Sequence, residues 1–180
     1  NLVGAKLSGA NLSHSHLSQS DLSFSDLTHA NLSYVTLGGA DLNSADLSHA
    51  NLSDSNLSGF QTILRGTNLT HANLNRAYLR GVDLSYSDLQ SATLILAELG
   101  GSLLNGLYYR GAKLEHTNLV DADLREANLF RALLNHSNLT SANLSFANLE
   151  AADLIGVRMD NANLTQANLK DAYMSGLGTS

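Results

Sequence analysis

The chain has 180 residues, 43% of them apolar, which is enough for one domain with a substantial core. It holds no Cys, so disulfides, thiolate metal sites and Cys nucleophiles are excluded, and no apolar run approaches the roughly 18 residues that a membrane-spanning helix needs. A formal net charge of −6 argues against direct binding to nucleic acid or to anionic membranes, both of which select basic surface.

Taken in chain order, the sequence is a repeat almost from its first residue. Leu recurs at every fifth position from Leu2 through Leu57, shifts by two, resumes at Leu64 and continues to Met174. That makes 12 units before the shift and 23 after it, and of these 35 centres only Tyr109, Met159 and Met174 are not Leu. Two residues before each centre stands a small residue, as at Ala10, Ser25, Ala45, Ala72, Ala127 and Ala167. The residue between is Asn or Asp in 22 of the 35 units, so it reads as an outward, polar position.

A period of five is incompatible with one α-helix burying a single stripe, because at about 100° per residue successive Leu would step round the cylinder by roughly 140°. A continuous strand fails as well, since residues five apart fall on opposite faces. The backbone must therefore turn within each unit. Three extended residues place the small residue and the Leu inward, and the last two, rich in Ser, Gly, Asn, Asp and His, make the turn. The chain has no Pro, as expected where every backbone N–H is needed for bonds between stacked turns.

The unit Ala-(Asn/Asp)-Leu-X-X, seen at 10–14, 40–44 and 142–146, resembles the signature of the pentapeptide-repeat proteins, a family especially common in cyanobacteria. The resemblance covers nearly the whole chain. It implies an all-β fold, a right-handed quadrilateral parallel β-helix with four units per coil, here a single domain over 1–180 with about nine coils and a rod roughly 40 Å long at the usual strand spacing. Leucine-rich repeats and left-handed β-helices are excluded by their periods.

Two stretches depart from the pattern. The segment Ser58-Gly59-Phe60-Gln61-Thr62-Ile63-Leu64 carries the two extra residues, near 58–63, and is expected to form a bulge at one corner. The segment 100–109 keeps the spacing but puts Leu107 where a small residue belongs and Tyr109 at a centre, so a local widening of the coil is expected. Stacking every 20 residues, with two added across the insertion, predicts outward ladders. One holds His29, His49 and His71, and another holds His14, Tyr34, Asp54, Arg76, Leu96, His116 and His136. Asn11, Asn31, Asn51 and Asn73 are expected to exchange hydrogen bonds up a third. An acidic ladder places Asp21 beside Asp41 and, on the neighbouring face, Asp26 beside Asp46. An apolar contact patch is expected on the face built from units centred at 94, 114, 134 and 154: Ile95, Leu133 and Ile155, with Leu96, Leu103, Tyr108 and Phe130 on adjoining edges or faces.

For function, the sequence offers no phosphate-binding glycine loop, zinc-protease helix or nucleophile elbow, and a small solenoid with short corners offers flat or convex walls in place of a cleft. No catalytic residue, cofactor site or metal site is expected. The reading is a non-enzymatic structural or protein-interaction scaffold. Its alternatives are a DNA-mimicking inhibitor of a type II topoisomerase, which some family members resemble, and an extramembrane domain of a larger membrane-anchored protein. Charge disfavours the first alternative, since −6 spread over the rod is far sparser than the charge of a duplex. Because repeats run to both ends, end-to-end self-association or a cap missing from a longer parent is also expected.

Overall fold

The computed structural model describes residues 1–175 apart from Gly101, Asn105, Gly106 and Arg110, with the backbone alone for 102–104 and 107–109. The chain winds as a four-sided right-handed parallel β-helix in which each unit on the rod supplies one wall. We number the walls I to IV in chain order, centred in the first coil on Leu2, Leu7, Leu12 and Leu17. Each wall is a ladder of parallel bridges. Wall III runs Asn11, Asn31, Asn51, Asn73, Thr93, Asp123, Asn143, Asn163, and wall IV runs His16, Thr36, Asn56, Tyr78, Glu98, Asn128, Asn148, Asn168.

The hydrogen bonds explain the period. On each rung the Leu N–H donates to the coil ahead and the preceding residue's N–H to the coil behind, as in Leu27 to Asp46 O (2.7 Å) and Asp46 to Ser25 O (2.9 Å). The turn then closes when the small residue's N–H donates to the preceding Leu carbonyl, as from Ala72 to Leu69 O at 3.0 Å. Inside, Leu22, Leu42, Leu64, Leu84, Leu114, Leu134 and Leu154 stack on wall I with no more than 1% exposure, and the other walls match them. Fully burying each Leu is worth about 1.5–3 kcal/mol before ordering entropy is subtracted, so the Leu columns are the main source of stability. In most units where the small residue is Ser or Thr, its hydroxyl donates to the same Leu carbonyl, as from Ser25 to Leu22 O and from Ser55 to Leu52 O, both at 2.6 Å, whereas Thr117 donates to Leu84 O in the coil before.

The turn makes a demand that the sequence reading left unspoken. Its second residue is left-handed in nearly every described unit, the bulge excepted, where Gly59 has φ 141°: 24 described non-glycine residues, from His14 to Asp171, have φ between 55° and 63° there, and Gly4, Gly9, Gly66 and Gly81 share the slot. Such a turn requires positive φ at its third residue counted from the Leu.

Both departures lie at the edge between walls IV and I. At the first, the rungs Asp41–Ile63 and Asn56–Tyr78 are 22 residues apart, so the two extra residues are absorbed locally. Thr62 closes the gap: it is fully buried, its N–H donates to Gly59 O (3.1 Å) and its Oγ1 accepts from Gly39 N–H (2.8 Å). The second departure corrects the sequence reading. Rungs Asp83–Lys113, Asp88–Asn118, Thr93–Asp123 and Glu98–Asn128 are 30 residues apart, so residues 102–104 and 107–109 stand outside the ladders of the rod instead of widening a coil. They form an antiparallel hairpin of β1 (Ser102–Leu104) and β2 (Leu107–Tyr109). Beneath it the coil closes as if nothing intervened, with Ala112 N–H donating to Leu99 O at 2.7 Å. Among the described residues the rod therefore has eight complete coils and starts a ninth at Met174, and two units of the repeat pattern, centred on Leu104 and Tyr109, stand outside it.

Candidate functional site

The outward surface is set by three positions per unit: the paired residue before the Leu, the residue after it, and the left-handed corner residue. Because coils stack at strand spacing, planar corner side chains stack too. His14 lies on Tyr34 (centroids 4.8 Å apart, planes within 1°), and His29, His49 and His71 form a column at 4.8 and 4.9 Å. The Asn ladder forms as expected over most of its length, with Asn51 Nδ2 donating to Asn31 Oδ1 (3.3 Å) and Asn73 Nδ2 to Asn51 Oδ1 (3.1 Å).

The hairpin reorders the rest. Tyr86, His116 and His136 stack in one column at 5.1 and 5.2 Å on the edge between walls I and II, so His116 and His136 do not continue the His14–Leu96 ladder. The expected apolar patch is split for the same reason. Ile95 and Leu96 belong to wall III and its edge with wall IV, whereas Leu133 and Ile155 lie on the opposite wall I. Phe130 is on wall IV, under the Arg131 guanidinium at 5.2 Å. Leu103 and Tyr108 pair across the hairpin, and their side chains lie outside the described residues. The structure thus gathers Phe130, Leu133 and the base of the hairpin around the edge between walls IV and I, and leaves Ile95 and Leu96 apart from them.

The acidic ladder forms as spaced: Asp21 pairs with Asp41 on wall I, and Asp26 with Asp46 on wall II. Each carboxylate closes a small ring with its own turn, Asp21 Oδ1 accepting from Ser23 N–H (3.1 Å) and Ser23 Oγ (2.7 Å), and Asp41 Oδ1 from Asn43 N–H (2.9 Å). The Ser23 hydroxyl, then its N–H, hold the Asp21 carboxyl below the usual carboxylate range, and Thr28 does the same for Asp26. Elsewhere charges are paired along the rod. Arg76 grips Asp54 with two bonds (2.7 and 2.6 Å), Arg80 meets Glu98 at 2.8 Å and Lys113 meets Asp83 at 3.3 Å. Burial pushes the Asp83 carboxyl up, but its bonds from Ser85 and the nearby Lys113 ammonium outweigh that and leave it lowered.

Three features escaped the sequence reading. Phe60, 60% exposed, lies so close over Gly81 that a Cβ there would meet its ring at 2.8 Å. Arg65 sits 4.7 Å above the Tyr86 ring. On wall IV, Tyr78 and Arg80 rise as a step after the smaller Thr36, Gly38, Asn56 and Ser58; that run of small residues, ended by a Tyr and an Arg, was the signal available in the sequence.

The four-sided coil, its buried Leu columns and its left-handed corners agree with one repeat family, whose sequence model matches eight copies over residues 1–33, 20–59, 62–106, 110–145 and 142–176. The chain belongs to the pentapeptide-repeat family. The gaps between matched stretches fall in the bulge and in the hairpin, where the structure also leaves the repeat. Among solved structures, the chain is similar to HetL, a pentapeptide-repeat protein involved in heterocyst differentiation regulation in the cyanobacterium Nostoc sp. strain PCC 7120. The two are 36% identical, with 95% of this chain and 81% of HetL covered and a TM-score of 0.77. A pentapeptide-repeat protein of the Arabidopsis thaliana thylakoid lumen is 27% identical over 67% of this chain and 69% of its own, with a TM-score of 0.28. Trypsin-treated QnrB1, a plasmid-mediated fluoroquinolone resistance protein, is 18% identical over 97% and 84%, with a TM-score of 0.33. No curated protein matches the sequence.

Proposed function

We propose that this pentapeptide-repeat rod is a non-enzymatic scaffold that binds a protein partner along the edge between walls IV and I. The observation that carries the reading is that both interruptions of the repeat emerge from this one edge, the bulge at 58–62 in the third coil and the hairpin in the fifth. Phe60 covers Gly81 in the coil between them, and Phe130 and Leu133 flank the coil beyond. Insertions on one face of a repeat array are where such proteins put their binding surfaces. The DNA-mimic reading gains no support from the charges, because Asp54, Asp83, Glu98 and Asp123 are each neutralised by an adjacent Arg or Lys.

The closing of the coil beneath the hairpin supplies the test. Removing residues 101–110 joins Gly100 to Gly111 and leaves Leu99-Gly100-Gly111-Ala112, an uninterrupted turn. Affinity capture from the native source should return a partner with the intact rod and lose it with the trimmed rod, while both keep the same circular dichroism. Equal recovery by both would refute the edge as the contact surface.

A further inference from the structure

We propose that the step on wall IV is a binding site for a neutral sugar unit, with Tyr78 as its stacking platform. A shallow cavity of about 370 Å³ opens on the N-terminal side of that step, lined by Asp54, Asn56, Ser58, Tyr78 and Arg80. Its volume falls within the ordinary range for small-molecule sites, roughly 300–1,000 Å³. Tyr78 is 52% exposed, and among the described residues no ring or guanidinium stacks on it, in contrast to Tyr34 and Tyr86.

The charges of the lining select the ligand. Asp54 is already held by Arg76 through both oxygens, and Arg80 by Glu98, so an ion entering the cavity finds its counter-charge spent. What the lining still offers is uncharged hydrogen bonding. Asn56 Oδ1 accepts from Ser58 N–H (3.1 Å), which fixes the amide and leaves its two N–H donors to a ligand. The Ser58 hydroxyl gives and accepts, and each Asp54 oxygen keeps a second lone pair. A free aromatic face beside fixed donors and acceptors without net charge matches a pyranose, which presents a patch of C–H on one face and hydroxyls round its rim. An aromatic side chain of a partner protein would fill the same face but would leave the Asn56 and Ser58 groups unsatisfied. The site shares Ser58 with the bulge of the proposed protein-binding edge but rests on Asn56 and Tyr78 and takes a different occupant, so either reading can fail without the other.

Saturation-transfer NMR on the full chain tests this with four named probes: maltotetraose, cellotetraose, chitotetraose and mannotetraose, with free indole as the aromatic competitor. At least one sugar should bind in the millimolar range, with saturation strongest on its C–H face. Tyr78→Ala should weaken it by about tenfold, the factor expected for losing one aromatic contact of roughly 1.4 kcal/mol, whereas Tyr78→Trp should retain it. Asn56→Ala, at a position open to solvent, should weaken binding with an unchanged thermal midpoint. No binding by any probe at 50 mM concentration (on the order of ten times a weak millimolar site) would overturn the proposal. So would binding indifferent to Tyr78→Ala, or indole displacing every sugar at lower concentration.

Discussion

The corner residue bears the fold's chief local cost, because left-handed φ is unfavourable for any side chain with a Cβ, by roughly 1–2 kcal/mol. Twenty-four non-glycine residues accept it here, so the ladder bonds on either side must over-determine the turn. Gly66 and Gly81 separate this cost from packing. A Cβ at Gly66 would come no closer than 3.7 Å to Ser44, while one at Gly81 would meet the Phe60 ring at 2.8 Å. Urea denaturation should therefore show Gly66→Ala costing about 1–2 kcal/mol and Gly81→Ala distinctly more. Adding Phe60→Ala to Gly81→Ala should recover the difference, and equal costs for the two glycines would contradict the packing account. The acidic ladder makes a second prediction at this scale. The carboxyls of Asp21, Asp26, Asp54 and Asp83 all lie below their ordinary value of 3.8 in the folded chain. Their contribution is complete above that value and is lost as the pH falls through the lowered folded values. The urea midpoint should accordingly hold steady down to about pH 5 and drop below about pH 4. An Asp21→Asn, Asp26→Asn double variant, which keeps the turn's acceptor oxygen without its charge, should drop less. An identical drop would assign the acid sensitivity to other groups.

At the scale of the element, each coil is held by its neighbours alone, so the cost of a core truncation depends on how many neighbours enclose it. Leu79 is fully buried in the middle of wall IV, whereas Leu164 near the C-terminal end is only partly buried. Leu79→Ala should cost about 2–5 kcal/mol and Leu164→Ala clearly less, as read from chemical denaturation. Comparable costs would mean that the end coils are as enclosed as the middle. The repeat made these Leu positions legible in the sequence, since period and polarity together place every centre inward. The hairpin was not legible in the same way, because Leu104 and Tyr109 keep the five-residue spacing that marks core residues. The warning lay in their neighbours: Leu103 and Tyr108 occupy outward positions, and Leu107 stands where a small residue belongs.

For the molecule as a whole, the hairpin behaves as an appendage whose removal should leave the rod unharmed. Every rung on either side is already paired across it, from Asp83–Lys113 to Glu98–Asn128, and Leu99 and Ala112 already close the turn. Deleting residues 101–110 shortens a loop that folding must close, a gain of a few tenths of a kcal/mol at most, since loop entropy varies only with the logarithm of length. The trimmed rod should thus unfold at the same temperature as the intact chain or slightly above it by calorimetry. A marked loss would show that the hairpin packs on the rod as part of its core.

The sequence by itself determined the inward Leu columns, because a period of five forces the backbone to turn within each unit and puts every centre inside. The four-sided coil, and with it the Asn ladder and the pairing of Asp21 with Asp41 and of Asp26 with Asp46, was legible through the repeat family that the unit resembles, whose four units per coil set the 20-residue stacking. Only the tertiary structure decided which residues meet beyond position 100. A stretch of ten residues can leave the rod without breaking the spacing, and a shift of two units carries every later side chain half-way round a four-sided coil. Ile95 and Leu133 consequently lie on opposite walls, and Tyr86, in place of Leu96, stacks on His116. The step at Tyr78 was likewise a matter of stacking, since it exists only where a large residue follows smaller ones in the coil before it along the same wall.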